Sequence, residues 1–196
     1  MRIGVCLIGV SHSKGEKGRD WKTCAIRNKE IFGDVDYFIT TYRHDCNLYD
    51  WYKPKKFWVE DWKGSTQRGT YVKALENVEN VDFIITTRFD AYFHKNLSEM
   101  NIDYTKFNFL AKEKGTWDDY RFVNDNFFAF PIEKKQIFVD AIKTLDSDPL
   151  KKNFMHHIYQ YITPFTDTHF ILDGEHSSKE NEFYNLIRIC NLPLGQ

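Results

Sequence analysis

Short apolar, β-branched runs alternate along the chain with stretches whose apolar positions recur at helical spacing, and that alternation predicts parallel strands joined by crossover helices. The first run is Ile3 to Val10. After it, Trp21, Cys24, Ala25, Asn28 and Phe32 share one face of a predicted helix that Gly33 closes. Val35 to Thr40 predicts a second strand and Phe57 to Glu60 a short further one. Val72, Leu75 and Val78 mark another helix, and Phe83 to Thr87 is the third clear apolar run. In the second half, strands are predicted at Phe107 to Ala111 and Asn126 to Pro131, separated by a polar loop with Gly115, Trp117, Asp118 and Asp119. Asp148 and Pro149 read as a cap and first-turn proline for a helix striped by Leu150, Phe154, Ile158 and Tyr161. Ser177 with Glu180 fits a capping box for a last helix burying Phe183, Leu186, Ile187 and Cys190.

With no internal repeat and no low-complexity linker, these elements predict an α/β fold in one domain, 1–196: a mixed, mainly parallel central sheet flanked by helices. The 27 Lys and Arg against 28 Asp and Glu leave no broad basic field, so a nucleic-acid partner is not expected. Cys6, Cys24, Cys46 and Cys190 lack the paired spacing of zinc or redox motifs and read as reduced thiols. The opening apolar run is too short to span a membrane, and Ser-His-Ser-Lys-Gly follows it instead of a small-residue cleavage site. The expectation is a protein with no transmembrane segment in a cytoplasmic compartment, the host's if the source is viral.

In an open parallel sheet, ligands bind beyond the carboxyl ends of the strands. Gly9, Ser11, His12, Ser13, Lys14, Gly15, Lys17, Gly18 and Arg19 form a flexible basic loop after the first strand. Such a loop wraps a diphosphate with backbone N–H groups and cations, or is plain solvated surface; it lacks P-loop spacing. After the third strand, Arg88-Phe89-Asp90 puts charge at the end of a buried run. Asp90 suits a hard divalent cation and Arg88 a nucleotide; the alternative is an Arg–Asp pair closing the strand end. Asn124-Asp125-Asn126 and Asp173-Gly174-Glu175-His176 both offer carboxylates near turns, as a base for an acceptor hydroxyl or as favourable charge near a helix N-terminus. His156 and His157 diverge by about 100° on a helix and read as structural. Trp51, Tyr52, Trp58, Trp62 and Trp117 either anchor loops or stack on a sugar.

The ordered set Ile3 to Gly9 with Arg19, Val35 to Tyr42, the helix with Gln67 and Lys73, Thr87-Arg88-Phe89-Asp90, and Asn124 to Pro131 resembles the GT-A-fold glycosyltransferases of large algal viruses and bacterial surface-polysaccharide clusters. The resemblance spans most of the chain. It implies a metal-dependent, inverting transfer of a sugar from a nucleotide-sugar donor, a UDP-sugar, to a glycan acceptor, with Mn²⁺ or Mg²⁺ bridging the diphosphate to the acidic motif. It makes 1–95 the nucleotide-sugar half and 96–196 the acceptor half. Gly9, Arg19, Thr41, Tyr42, Gln67 and Arg88 then hold the nucleotide, Asp90 the metal, and Glu175, with Asp125 and Asp173 as rivals, takes the acceptor proton. The family's Asp-any-Asp triplet is reduced here to one carboxylate, which opens a place for a second ligand such as His169 or His176, or for a non-catalytic carbohydrate- or nucleotide-binding domain.

Overall fold

The computed structural model describes residues 1–13, 19–42, 47–61, 66–148 and 155–187. The first half runs β1 (Ile3–Gly9), β2 (His12–Ser13), β3 (Arg19–Asp20), α1 (Trp21–Phe32), β4 (Asp36–Thr41), α2 (Asn47–Tyr52), β5 (Lys56–Val59), α3 (Gln67–Glu76), β6 (Phe83–Arg88) and β7 (Ala91–Phe93). The second half runs β8 (Phe107–Phe109), β9 (Lys112–Glu113), α4 (Trp117–Tyr120), β10 (Phe127–Pro131), α5 (Lys135–Ser147), α6 (Tyr159–Ile162), β11 (Thr168–Phe170), β12 (Glu175–His176) and β13 (Tyr184–Leu186). Seven strands form one sheet in the order β11-β8-β10-β6-β1-β4-β5. β6, β1, β4 and β5 are parallel neighbours, whereas β10 runs antiparallel to both β6 and β8. The expected mixed, mainly parallel sheet flanked by helices is therefore the one observed.

Successive side chains of a strand point to opposite faces, and the near-continuous apolar runs of β1, β6 and β10 bury both. Val5, Leu7, Ile39, Ile85 and Phe127 face a layer built by Trp21, Ala25 and Phe32 of α1 with Leu48 and Tyr52 of α2. Cys6, Ile8, Phe38, Ile84 and Phe128 face the other layer, with Tyr71 and Leu75 of α3 and Phe138, Ile142 and Leu145 of α5. Most of the aromatic content is core filling. Phe107 stacks on Phe130 at 4.7 Å, and Phe138 meets Phe107, Phe128 and Phe130 at 5.0 to 5.3 Å. Trp117 and Tyr52 are buried with them, while Trp51 and Trp58 remain exposed beneath Lys29 and Lys73; Trp62 lies outside the described residues.

The second half departs from the expected pattern. α5 was not anticipated, although Phe138, Val139, Ala141, Ile142 and Leu145 carry its buried face. Asp148 closes that helix at its C-terminus, and its carboxylate accepts from Tyr161 Oη at 2.5 Å. Pro149, Leu150 and Phe154 of the predicted stripe lie outside the described residues, and the remainder is a 3₁₀ turn, Met155–Ile158, running into α6. The last predicted helix is absent: over 175–187 the chain forms β12, turns and β13. There Ser177 Oγ accepts from Lys179 N, and Asn181 Oδ1 accepts from the N–H groups of Phe183 and Tyr184, so side chains take donors that a helix would use. β13 pairs instead with β7, burying Phe183 and Tyr184.

Candidate functional site

The carboxyl ends of β1, β4 and β6 lie at one edge of the sheet. Because β10 runs the other way, its beginning lies at that same edge, with Phe127 opposite Thr87. This reversal brings Asn124-Asp125-Asn126 beside Arg88, across a sequence gap that no local signal spans.

At the ends of β1 and β4, Gly9 has φ +93, a conformation strained for other residues, and turns the chain into Val10 and Ser11. The Thr41 hydroxyl donates to Ser11 Oγ at 3.0 Å and accepts from Ser11 N at 3.3 Å, tying the two strand ends together. Trp21 N donates to Ser11 O at 3.1 Å, which fixes the start of α1 against the same point. α1 thus begins two residues after Arg19, whose backbone pairs with that of Ser13 where β2 and β3 run antiparallel. Lys14, Gly15, Lys17 and Gly18 lie outside the described residues. Tyr42 follows β4, bonded to the Thr70 hydroxyl of α3.

At the end of β6, Arg88 donates from Nε and Nη2 to Asp90 Oδ1 and Oδ2 at 2.8 and 2.9 Å. The Arg88 side chain is 19% exposed and that of Asp90 2%. Burial opposes the charge on Arg88, but Asp90, through charge and hydrogen bonds, together with Asp125 and Tyr71, raises its pKa further. Both Asp90 oxygens are thereby engaged. Among the described residues, no cluster of three or more His, Cys, Asp or Glu suits a metal ion. His169 Nε2 is bonded to Asn101 O and His176 Nε2 to Asp173 O, each at 2.8 Å. This donor set does not fit the divalent cation expected at Asp90.

Asp125, 9% exposed, is held from three sides. Its Oδ2 accepts from Gln67 Nε2 at 3.2 Å and lies 3.7 Å from His156 Nε2, and its carbonyl accepts from Tyr71 Oη at 2.6 Å. The other ring nitrogen of His156 is 2.8 Å from Val123 O, which aims Nε2 at Asp125. Burial first, then the Asp125 charge, pushes the Tyr71 hydroxyl well above its ordinary pKa, keeping it a donor.

The two acidic segments singled out in the sequence do meet. Asn124 Nδ2 donates to His176 O at 3.0 Å and to Glu113 Oε2 at 2.8 Å, while Asn126 Nδ2 donates to Ser178 O at 2.6 Å. Their carboxylates part company, however. Glu175 is exposed, pairs through its backbone with Lys112, and accepts from Gly115 N at 2.7 Å; Asp173 is also exposed. Asp125 acts electrostatically on Arg88.

Glu113 was missed in the sequence. It is half-buried, and its pKa is raised by burial, against the hydrogen bond from Ser178 and the His156 charge, with Asp125 adding to the rise. The Lys112-Glu113-Lys114 run reads as solvated surface, so nothing local marks it. Tyr184, whose hydroxyl reaches Asn124 Oδ1 at 3.3 Å and Ser178 O at 3.0 Å, was hidden by the mistaken helix.

No family model matches this sequence, and no curated protein sequence does either. Solved structures do share its fold. The bifunctional IspDF of Campylobacter jejuni superposes with a TM-score of 0.57 at 14% identity over 97% of this chain, which spans about half, 52%, of that one. The 4-diphosphocytidyl-2C-methyl-D-erythritol synthase of Anaerococcus prevotii gives 0.57 at 12% identity, over 97% of this chain and 93% of its own. The nucleoside-diphosphate-sugar pyrophosphorylase of Vibrio cholerae gives 0.50 at 12% identity, over 86% and 90%. At such identities the likeness is one of fold: a Rossmann-like mixed α/β sheet flanked by helices. No helix among the described residues is long and apolar enough to cross a membrane.

Proposed function

We propose that this chain is a nucleotide-sugar-dependent transferase that moves a sugar from a UDP-type donor to a hydroxyl of a glycan acceptor, with inversion. The observation that carries the reading is the meeting of a permanently charged guanidinium, Arg88, with a held carboxylate, Asp125, at the carboxyl edge of the sheet. The fold supports it, since the names of two structural neighbours refer to a nucleoside-diphosphate sugar and a diphosphocytidyl product. In this reading Gly9, Arg19, Thr41 and Tyr42 border the nucleotide, Arg88 meets the diphosphate, and Gln67 orients Asp125. Asp125 takes the acceptor proton, the acceptor oxygen bonds to the anomeric carbon, and the carbon–oxygen bond to the diphosphate breaks, its electron pair leaving with the nucleoside diphosphate. Glu175 and Asp173 fall to the acceptor side, where Glu175 braces the Gly115 turn.

The test is release of nucleoside diphosphate from a panel of UDP-, GDP- and dTDP-sugars, with and without glycan acceptors. Asp125→Asn is expected to lower kcat by about 10²–10⁴-fold while leaving donor affinity nearly unchanged. Equal losses of kcat and affinity would make Asp125 a binding residue. A second reading, nucleotidyl transfer, is favoured by the structural neighbours. It predicts pyrophosphate release from a nucleoside triphosphate and a phosphorylated alcohol, with nucleotide-sugars inert. Donor binding without either turnover identifies a non-catalytic nucleotide-binding domain.

A further inference from the structure

A divalent cation at the end of β6 would need carboxylate oxygens with open lone pairs, usually several waters, and a second anionic ligand. Asp90 is poorly placed to serve as such a ligand: each oxygen already accepts from the Arg88 guanidinium within 2.9 Å, and at 2% exposure its side chain leaves little room for a cation with its waters. A cation seated on Asp90 would also stand against a fixed positive charge. Arg88 has the opposite properties. It is the last residue of β6, its charge is reinforced by Asp90 and Asp125, and its side chain keeps 19% exposure. Its planar fork matches phosphate oxygens, and Asp90 occupies Nε and Nη2, so Nη1 remains for a ligand.

We infer that Arg88, positioned by Asp90, takes the place of a divalent cation in this site and binds the diphosphate directly. The inference rests on the nucleotide-handling reading above, yet it concerns the anion alone. Asp90 is a positioning residue: it fixes the guanidinium plane and keeps the charge at the sheet edge.

Two measurements test it. Mn²⁺ titrated into the protein without nucleotide, followed by the electron paramagnetic resonance of the free ion, is expected to show no saturable site. Inorganic pyrophosphate, followed by calorimetry in EDTA, is expected to bind, and Arg88→Lys to weaken it by about ten- to a hundredfold, the loss of a charge-assisted hydrogen bond in fixed geometry. A saturable Mn²⁺ site in the wild type overturns the inference, and its disappearance in a folded Asp90→Asn variant would name the ligand. Absence of pyrophosphate binding in EDTA overturns it too, whatever the transfer assays give. Pyrophosphate bound in EDTA beside a complete lack of sugar transfer sinks the proposed function and leaves the anion site standing.

Discussion

Asp90 and Arg88 show how much one buried pair decides. Removing one partner of such a pair leaves an uncompensated charge, so Asp90→Ala is expected to destabilise the fold by about 3 kcal/mol, the low end for buried pairs because Arg88 keeps some solvent. Replacing both, as in Arg88→Met with Asp90→Leu, should restore most of that loss; urea denaturation of the three proteins separates the cases. Glu113 makes a different statement. Its folded pKa lies above the ordinary value of 4.5, so its protonated form is the one the fold prefers. Its stabilising contribution is full below that ordinary value and is lost as pH rises through the raised folded value. Glu113→Gln cannot ionise, so its stability relative to wild type is expected to climb over that window and then level off. Denaturation midpoints at steps across about pH 4 to 8 would show the climb, and a flat difference would contradict it. At this scale the sequence was partly legible. Arg88, Asp90 and Asp125 stood out by their place beside apolar runs and Gln67 only through the family resemblance, whereas Glu113 did not stand out, because its partners Asn124 and Ser178 are 11 and 65 positions away.

Among the elements, those with both a period and a boundary were readable. α1 ends at Gly33, whose φ is +67 and whose N–H donates to Lys29 O at 2.9 Å, so pattern and stop signal agreed. The strands β1, β4, β6 and β10 were visible as apolar runs for the same reason that they fill two cores. The 175–187 segment failed the other way: Ser177 and Glu180 have helix-start spacing, but Asn181 and the antiparallel pairing of β13 with β7 hold the backbone extended. That segment is anchored through Tyr184, which is fully buried and bonded to Asn124 and Ser178. Tyr184→Phe is expected to cost about 1 kcal/mol and to speed amide exchange across the β7–β13 pairing while leaving β1 and β6 unchanged. Equal acceleration in all four strands would show that Tyr184 supports the whole sheet.

Over the whole molecule, the order of elements predicted a mixed, mainly parallel sheet, but not which strand was reversed or where it was inserted. The reversal of β10 joins a loop near residue 125 to a strand end near residue 88, and pattern reading within windows cannot see it. The same strand ladders the second half of the chain to the first. Along β6, five residues from Phe83 to Thr87 are laddered to Pro131 through Phe127. Until that partner arrives, a nascent chain carries an apolar strand with one row of amides and carbonyls open, the kind of edge on which chains pair with each other. The segment 1–95 made alone is therefore expected to form multimers by light scattering, dispersed when 96–196 is supplied in trans. A monomeric 1–95 would mean that the open row finds cover within the first half. If the multimers form, synthesis past Pro131 is the moment at which this chain stops being adhesive.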